Sequence, residues 1–205
     1  MQDPHVHRTR KNNGDASGPG SEGAGRIILG IDPGTTIMGY GIVHAIGPNV
    51  TFVDAGCVRF TRDDDQTLRL REVFRRTTAL IAEHLPDEMA IEAQFFGKNV
   101  QSMLKLGRAQ GVAIAAAIQR DVPVVEYAPK RIKQSVTGNG NATKEQVAAM
   151  LQGILDTGGA SLGTDATDAL AVALCHHYAR NGHATASRKG GDWGAFVRNN
   201  PGRVR

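Results

Sequence analysis

Four carboxylates stand where short apolar segments end or begin. Asp32 follows the apolar run RIILGI, Glu92 closes MAIE, and Asp165 and Asp168 open the segment TDATDALAVAL. The last two acids are three residues apart, so a helix would place both on one face. Acids gathered at one sheet edge suit Mg²⁺, which prefers oxygen ligands, and two such ions about 4 Å apart can assist phosphodiester hydrolysis.

The hydrophobic pattern predicts the elements that must position these acids. It predicts strands at Ile27–Ile31, Gly39–His44, Val50–Arg59, Met89–Glu92 and Val122–Tyr127, and helices at Gln66–Leu85, Val100–Arg120 and Asp165–Tyr178, with a short helix before the loop TGNGN and another helix from Lys144. Short links between the first three strands imply antiparallel pairing, and the helix-linked later strands imply parallel pairing. We therefore predict an α/β domain with a mixed five-stranded sheet and helices on both faces.

Composition predicts one globular domain within the 205 residues, at 26–180. Residues 1–25 are polar and Gly-rich and are predicted to be a disordered extension, and residues 181–205 are predicted to be a flexible basic tail.

Cys57 and Cys175 lie in apolar segments without CxxC spacing, so both are predicted to be buried, reduced thiols. No apolar run approaches the roughly 20 residues of a membrane span, so we expect a cytoplasmic protein without a membrane partner.

The stretch GIDPGTT around Asp32 allows two interpretations. It is similar to the phosphate-binding loop of actin-like ATPases and sugar kinases, and also to the first strand of ribonuclease H-like nucleases. An actin-like ATPase needs two such domains with a second phosphate loop, whereas this chain has room for one domain. The other three acids favour the nuclease.

Basic and aromatic residues supply a possible nucleic-acid surface on a chain of net charge +4. Phe95 and Phe96 follow Glu92, and an exposed ring there could stack on an unpaired base, so we expect one of the two to be exposed and the other buried. Lysines and arginines near the predicted site are expected to contact phosphates and to make binding salt-dependent. A solvated surface remains an equal alternative for Lys130 and Arg131.

Four long segments resemble the RuvC family of crossover junction endodeoxyribonucleases, in the family's order. They are ILGIDPGTTIMGYGIV, AIEAQFFGKNVQSMLKLGRAQGVAIAAA, EYAPKRIKQSVTGNGNATKEQV and DATDALAVALCHH. The resemblance implies a ribonuclease H-like fold, with Asp32, Glu92, Asp165 and Asp168 as metal-binding acids and Lys133 and Lys144 in catalysis. The predicted DNA contacts are Phe95, Lys98, Asn99, Lys105, Arg108, Lys130, Arg131, Lys133 and Lys144.

The resemblance also implies partners and products. It implies a homodimer with two Mg²⁺ per subunit, with Mn²⁺ as a plausible substitute, that acts on four-way DNA junctions beside the RuvA–RuvB branch-migration complex. Paired symmetric nicks would leave ligatable 5′-phosphate and 3′-hydroxyl ends. Two alternatives stay open: a related ribonuclease H-fold nuclease with another substrate, and a junction-binding module without activity, against which four intact acids argue.

Overall fold

The computed structural model describes residues 25–34, 36–60, 65–94, 99–160 and 162–181. The elements in chain order are β1 (Arg26–Asp32), β2 (Ile37–Ile46), β3 (Asn49–Arg59), α1 (Gln66–His84), β4 (Glu88–Glu92), α2 (Val100–Ile118), β5 (Val124–Tyr127), α3 (Pro129–Thr137), α4 (Lys144–Ile154) and α5 (Thr164–Arg180). This is the order of strands and helices that the hydrophobic pattern predicts.

The five described strands form one mixed sheet in the order β3-β2-β1-β4-β5. Strands β1, β2 and β3 pair antiparallel, and β1–β4 and β4–β5 pair parallel. The crossover to β4 through α1 places β4 beside β1 in the middle of the sheet. The carboxyl ends of β1 and β4 therefore lie side by side, at the kind of edge where α/β folds collect ligands.

Two apolar cores, one on each face of the sheet, confirm that helices cover both faces. Side chains alternate along β1, so that Ile28 belongs to one core and Leu29 and Ile31 belong to the other. The first core lies under α3, α4 and α5, and the second lies under α1 and α2. Helix α5 is the most buried helix, with an unbroken buried run from Ala169 to His177.

Two predictions about the chain need correction. Cys57 is exposed, while Cys175 is buried as predicted. Cys57 belongs to β3, which is an edge strand of the sheet, so an apolar segment there does not bury every side chain. The strand predicted from Val122 begins at Val124 instead, because Asp121 has a positive φ of 56° and Pro123 lacks the N–H that a strand pairing needs.

Helix ends also differ by a few residues from the predicted ones. Helix α1 ends at His84, since Leu85 takes the left-handed conformation of a C-cap. The predicted capping box of α4 is present, with Thr143 and Gln146 each bonding the other's backbone N–H.

None of the described helices is both long enough and apolar enough to span a membrane.

Candidate active site

Three of the four predicted acids meet above the carboxyl ends of β1 and β4. The alternation that sends Leu29 and Ile31 toward α1 and α2 sends Asp32 to the face covered by α5. Glu92 ends the neighbouring strand, whose register with β1 pairs Ile31 with Ile91. Asp168 lies in the second turn of α5. Two strand ends and one helix therefore supply the three carboxylates, which gives rigid support to a site.

Glycines in β1 and β2 let α5 approach the sheet closely enough to complete this arrangement. A methyl group at Gly39 would overlap the backbone oxygen of Asp165, and one at Gly30 would overlap the backbone oxygen of Ala169. A methyl group at Gly41 would lie 2.7 Å from the backbone nitrogen of Leu170. The absence of side chains here sets the depth of the helix, and hence the height of Asp168 above Asp32.

The three acids share a cleft of about 310 Å³ with two lysines. Lys133 of α3 and Lys144 at the start of α4 both reach this cleft. Its remaining wall is lined by Pro33, Ala93, Gln94, Leu106, Pro129, Ile132, Val147 and Ala171. The cleft therefore combines clustered negative charge with two cations and a largely apolar wall.

Asp32 and Glu92 share a hydrogen bond between their side chains, and both have raised pKa values. Burial, followed by the charge of Asp168, raises the pKa of Asp32 from 3.8 to about 6. Burial, followed by the charge of Asp32, raises the pKa of Glu92 from 4.5 to about 8. The raised pKa values mean that the pair tends to retain a proton when no cation neutralises it.

Lys144 compensates the third acid. Its ammonium lies 2.5 Å from Oδ2 of Asp168, and this hydrogen bond is the main reason why the pKa of Lys144 is raised. The charge of Lys144 also lowers the pKa values of Asp32 and Glu92. The lysine thus acts on all three carboxylates of the cleft.

The donor set fits a divalent cation such as Mg²⁺. Among the described residues, no three His, Cys, Asp or Glu side chains already stand as a metal site. Asp32 and Glu92 instead bind each other, and Asp168 binds Lys144. The donors are all carboxylates, and Mg²⁺ typically takes one or two of these together with water and substrate phosphate oxygens.

Asp165 has a more peripheral position than the other three acids. It lies in the first turn of α5, half-buried, with its backbone against Gly39. Its side chain is not part of the cleft lining, and its charge is the weakest of the causes that raise the pKa of Asp32. The role of Asp165 as a metal ligand stays a prediction.

The predicted DNA contacts that the structure describes lie on α2, α3 and α4 or at their ends. Lys105 and Arg108 are exposed on α2, and Lys130 is exposed beside Gly140. Arg131 is exposed but has a partner in the fold, since its guanidinium lies 5.4 Å from the centre of the Tyr127 ring.

Asn99 has a structural role as the N-cap of α2. Its side chain accepts a hydrogen bond from the backbone N–H of Ser102 at 3.1 Å. Phe95, Phe96 and Lys98 lie outside the described residues, so their predicted contacts stay predictions.

The glycines that let α5 pack closely on the sheet were not among the predicted functional residues. Gly39 and Gly41 are two residues apart in β2, which places both on one face of the strand. Glycine inside a strand often marks a close approach of another backbone, so the spacing of Gly39 and Gly41 could have predicted that a helix packs closely on this face. The apolar wall residues Leu106 and Val147 had no signal in the sequence, because their position depends on how helices from distant segments pack.

Comparison with known proteins identifies the family. The profile described as crossover junction endodeoxyribonuclease RuvC matches residues 28–176, a range that includes all four predicted acids. The chain belongs to the RuvC family. The prediction made from the four segments is therefore confirmed, and membership in this nuclease family decides against the ATPase interpretation.

The chain matches curated RuvC proteins over almost their whole length. The RuvC of Porphyromonas gingivalis is 55% identical over 186 residues, which cover 88% of this chain and 97% of that protein. The RuvC of Bacteroides fragilis is 50% identical over 182 residues, covering 88% and 96%. RuvC nucleases generally depend on divalent metal, which agrees with the carboxylate cleft.

Solved structures confirm the ribonuclease H-like fold. The structure of Thermus thermophilus RuvC in complex with a Holliday junction substrate is 32% identical, with a TM-score of 0.71, and covers 78% of this chain and 97% of that one. The yeast mitochondrial Holliday junction resolvase is 15% identical, with a TM-score of 0.56, and covers 76% and 80%. This second likeness supports the fold alone.

Proposed function

We propose that this chain resolves four-way DNA junctions by hydrolysing one phosphodiester bond in each of two opposed strands. The observation that carries the proposal is the cleft in which Asp32, Glu92 and Asp168 stand beside Lys133 and Lys144. Membership in the RuvC family supplies the substrate class, and the T. thermophilus relative was solved with a Holliday junction.

The acids are proposed to hold two Mg²⁺ ions per subunit, with Mn²⁺ as a substitute. Asp32, Glu92 and Asp168 would ligate them, and Asp165 would join from the first turn of α5. When bound, the ions supply activation of the attacking water and stabilisation of the charge on the phosphate.

The lysines are proposed to act on the scissile phosphate. Water adds its oxygen to phosphorus while the bond from phosphorus to the 3′ oxygen breaks, and a proton goes to the leaving 3′ oxygen. The products are a 5′-phosphate and a 3′-hydroxyl, which a ligase can rejoin. Lys133 and Lys144 stabilise the negative charge that builds on the phosphate, an effect that is larger in a partly dry cleft than in water.

The proposed DNA surface combines phosphate contacts with base stacking. The basic side chains of α2, α3 and α4, together with Lys98, neutralise phosphates, Asn99 contacts the DNA, and Phe95 stacks on a base near the junction centre. A homodimer presents two clefts to the two-fold junction, which accounts for symmetric nicks. The proposed setting is the cytoplasm, together with the RuvA–RuvB complex, with residues 26–180 as the nuclease domain. Apart from Gly25 and Asn181, the predicted extensions at 1–25 and 181–205 lie outside the described residues.

A single experiment tests this function. Synthetic four-way junctions, flaps and duplexes with labelled strands are incubated with the protein, with and without Mg²⁺, and the cuts are mapped. We expect paired symmetric cuts in the junction that require Mg²⁺. Preferred cutting of flaps would indicate a related nuclease with another substrate, and binding without cutting would indicate a junction-binding module.

A further inference from the structure

A polar network with a buried centre joins the C-terminal half of α5 to the amino end of β4, at the opposite end of that strand from the cleft. The hydroxyl of Tyr127 is 2.9 Å from Nδ1 of His176, and Nε2 of His176 is 2.6 Å from Oε2 of Glu88. Arg180 donates to the other oxygen of Glu88, and Arg26 lies 3.4 Å from Oε2. Tyr127, His176 and Glu88 are 6%, 1% and 7% exposed, so these polar groups depend on one another for hydrogen bonds.

The tautomer follows from the surroundings. Burial lowers the pKa of His176 below its ordinary value, which favours the neutral imidazole. Glu88, flanked by Arg26 and Arg180, accepts a hydrogen bond from the Nε2–H of His176. The Nδ1 atom is then an acceptor, and the Tyr127 hydroxyl donates to it. All three side chains therefore have one fixed arrangement.

Glu88 and His176 each share an element with an acid of the cleft. Glu88 and Glu92 are the first and last residues of β4. His176 and Asp168 are both on α5. The network therefore ties together the elements that supply two of the three acids.

Tyr127 extends this connection to the wall that carries Lys133. It is the last residue of β5 and the register partner of Glu92, and its carbonyl accepts the N–H of Ala93 at 2.9 Å. Helix α3 begins two residues later, and Arg131 of that helix lies over the Tyr127 ring. A shift of the Tyr127 ring would move both the segment after Glu92 and the start of α3.

We propose that Tyr127 and His176 are positioning residues of the nuclease, which hold β4, α5 and the β5–α3 junction in register so that Glu92, Asp168 and Lys133 meet at the correct spacing. This inference rests on the proposed function. A buried ionic network is seldom better than apolar packing for stability alone, whereas its directional bonds allow one alignment.

The test compares two variants that each remove one hydroxyl group. Tyr127→Phe keeps the ring and breaks the bond to His176. Tyr178→Phe, on α5 but outside the network, is the matched control. For both variants and for the unmodified protein, we would measure the single-turnover rate on a four-way junction per folded molecule, the Mg²⁺ concentration at half-maximal rate, and the junction affinity in EDTA.

Tyr127→Phe should lower the single-turnover rate about tenfold and raise the Mg²⁺ requirement, with junction affinity unchanged, because small displacements of catalytic groups cost rate rather than DNA binding. Tyr178→Phe should match the unmodified protein. A lower melting temperature with an unchanged rate for Tyr127→Phe would reduce the network to a stabilising element and overturn the proposal.

Failure of the proposed function has a different signature. In that case the unmodified protein would not cut the junction. Mg²⁺ binding, measured by calorimetry, would then test whether the network positions the acids. Weaker Mg²⁺ binding by Tyr127→Phe than by Tyr178→Phe would uphold the positioning role, and equal binding would overturn it.

Discussion

The ammonium of Lys144 lies 2.5 Å from Oδ2 of Asp168, within the cleft that also holds Asp32 and Glu92. The lysine side chain is 60% exposed and that of Asp168 only 18%, so the cation reaches into the cleft from its rim. An ion pair in this position occupies an oxygen that the proposed cation needs. Lys144 therefore has two opposing roles: it pairs with Asp168, and it is proposed to act on the phosphate of the substrate.

Replacing Lys144 by Met should separate these roles. Mg²⁺ affinity without DNA should rise severalfold, because Asp168 loses its competing cation. The single-turnover cleavage rate should fall by about tenfold or more, because a charge near the scissile phosphate is lost. Calorimetry and single-turnover assays measure the two effects.

Lys133→Met is the comparison, since Lys133 lines the same cleft from α3. It should slow cutting without raising Mg²⁺ affinity. Unchanged single-turnover rates for both variants at saturating enzyme would reduce the two lysines to phosphate anchors.

Substitution of the acids should abolish cutting while preserving DNA binding. Asp32→Asn, Glu92→Gln and Asp168→Asn keep the shape of each side chain and remove one charge. Each variant should fold and bind a four-way junction, because affinity comes mainly from basic side chains and shape. Each should lose nearly all cleavage, measured by nick formation after Mg²⁺ addition.

Asp165→Asn should retain the most activity of the four, in line with its position outside the cleft lining. Near-normal cutting by Asp32→Asn would mean that Asp32 is a turn residue, and the two-metal interpretation would then be wrong.

In the metal-free protein, ionisation of Asp32 and Glu92 should lower the free energy of unfolding as the pH rises from about 4 to about 8. Asp32→Asn and Glu92→Gln should each reduce this effect. Folding raises the pKa of Asp32 to about 6 and that of Glu92 to about 8. In this range the folded protein therefore binds more protons at these groups than the unfolded chain does, so their contribution to the free energy of unfolding falls as pH rises.

Thermal unfolding in EDTA at several pH values measures this effect. Both variants should melt a few degrees above the unmodified protein at pH 8, and the difference should vanish at pH 4. Mg²⁺ should raise the melting temperature of the unmodified protein more than that of either variant. The same pH dependence of the melting temperature in all three proteins would contradict the raised pKa values of Asp32 and Glu92.

Gly39→Ala should push the first turn of α5 away from β2, because the new methyl group would overlap the backbone oxygen of Asp165. We expect a loss of about 1–3 kcal/mol in the free energy of unfolding, together with weaker Mg²⁺ binding. Gly153→Ala in α4 is the control, since a methyl group there meets nothing within 4 Å. That change should be neutral or stabilising by up to about 1 kcal/mol. Urea unfolding and calorimetry distinguish the two glycines.

Phe95→Ala should reduce junction cleavage more than stability. The residue follows Glu92 by three positions, where an exposed ring could stack on an opened base, and such stacking is worth about 1–3 kcal/mol per base. Cleavage per folded molecule and the melting temperature are compared with those of Phe96→Ala. A large drop in melting temperature with normal cleavage would show that Phe95 is a core residue.

The amino-acid pattern was sufficient for the parts of this protein that depend on local sequence. Apolar runs ended by Asp32 and Glu92 mark two strand ends, and the spacing of Asp165 and Asp168 marks a helix face. Both features depend on neighbours close in sequence, so the element order and three acids of the cleft followed directly.

Features that depend on tertiary packing did not follow from the pattern. The exposure of Cys57 depends on β3 being an edge strand, and the pairing of Lys144 with Asp168 depends on how α4 lies beside α5. The contact of His176 with Tyr127 joins segments far apart in sequence, and no periodicity predicts it.

The close fit of α5 against β1 and β2 has a consequence for synthesis of the protein. Asp32 emerges early from the ribosome and Asp168 late, since α5 is the last described element. Until that helix docks onto Gly30 and Gly39, the acids of the strands lack their partner, and the face of the sheet beneath it stays open. A nascent or prematurely terminated chain that lacks α5 therefore carries no complete cleft.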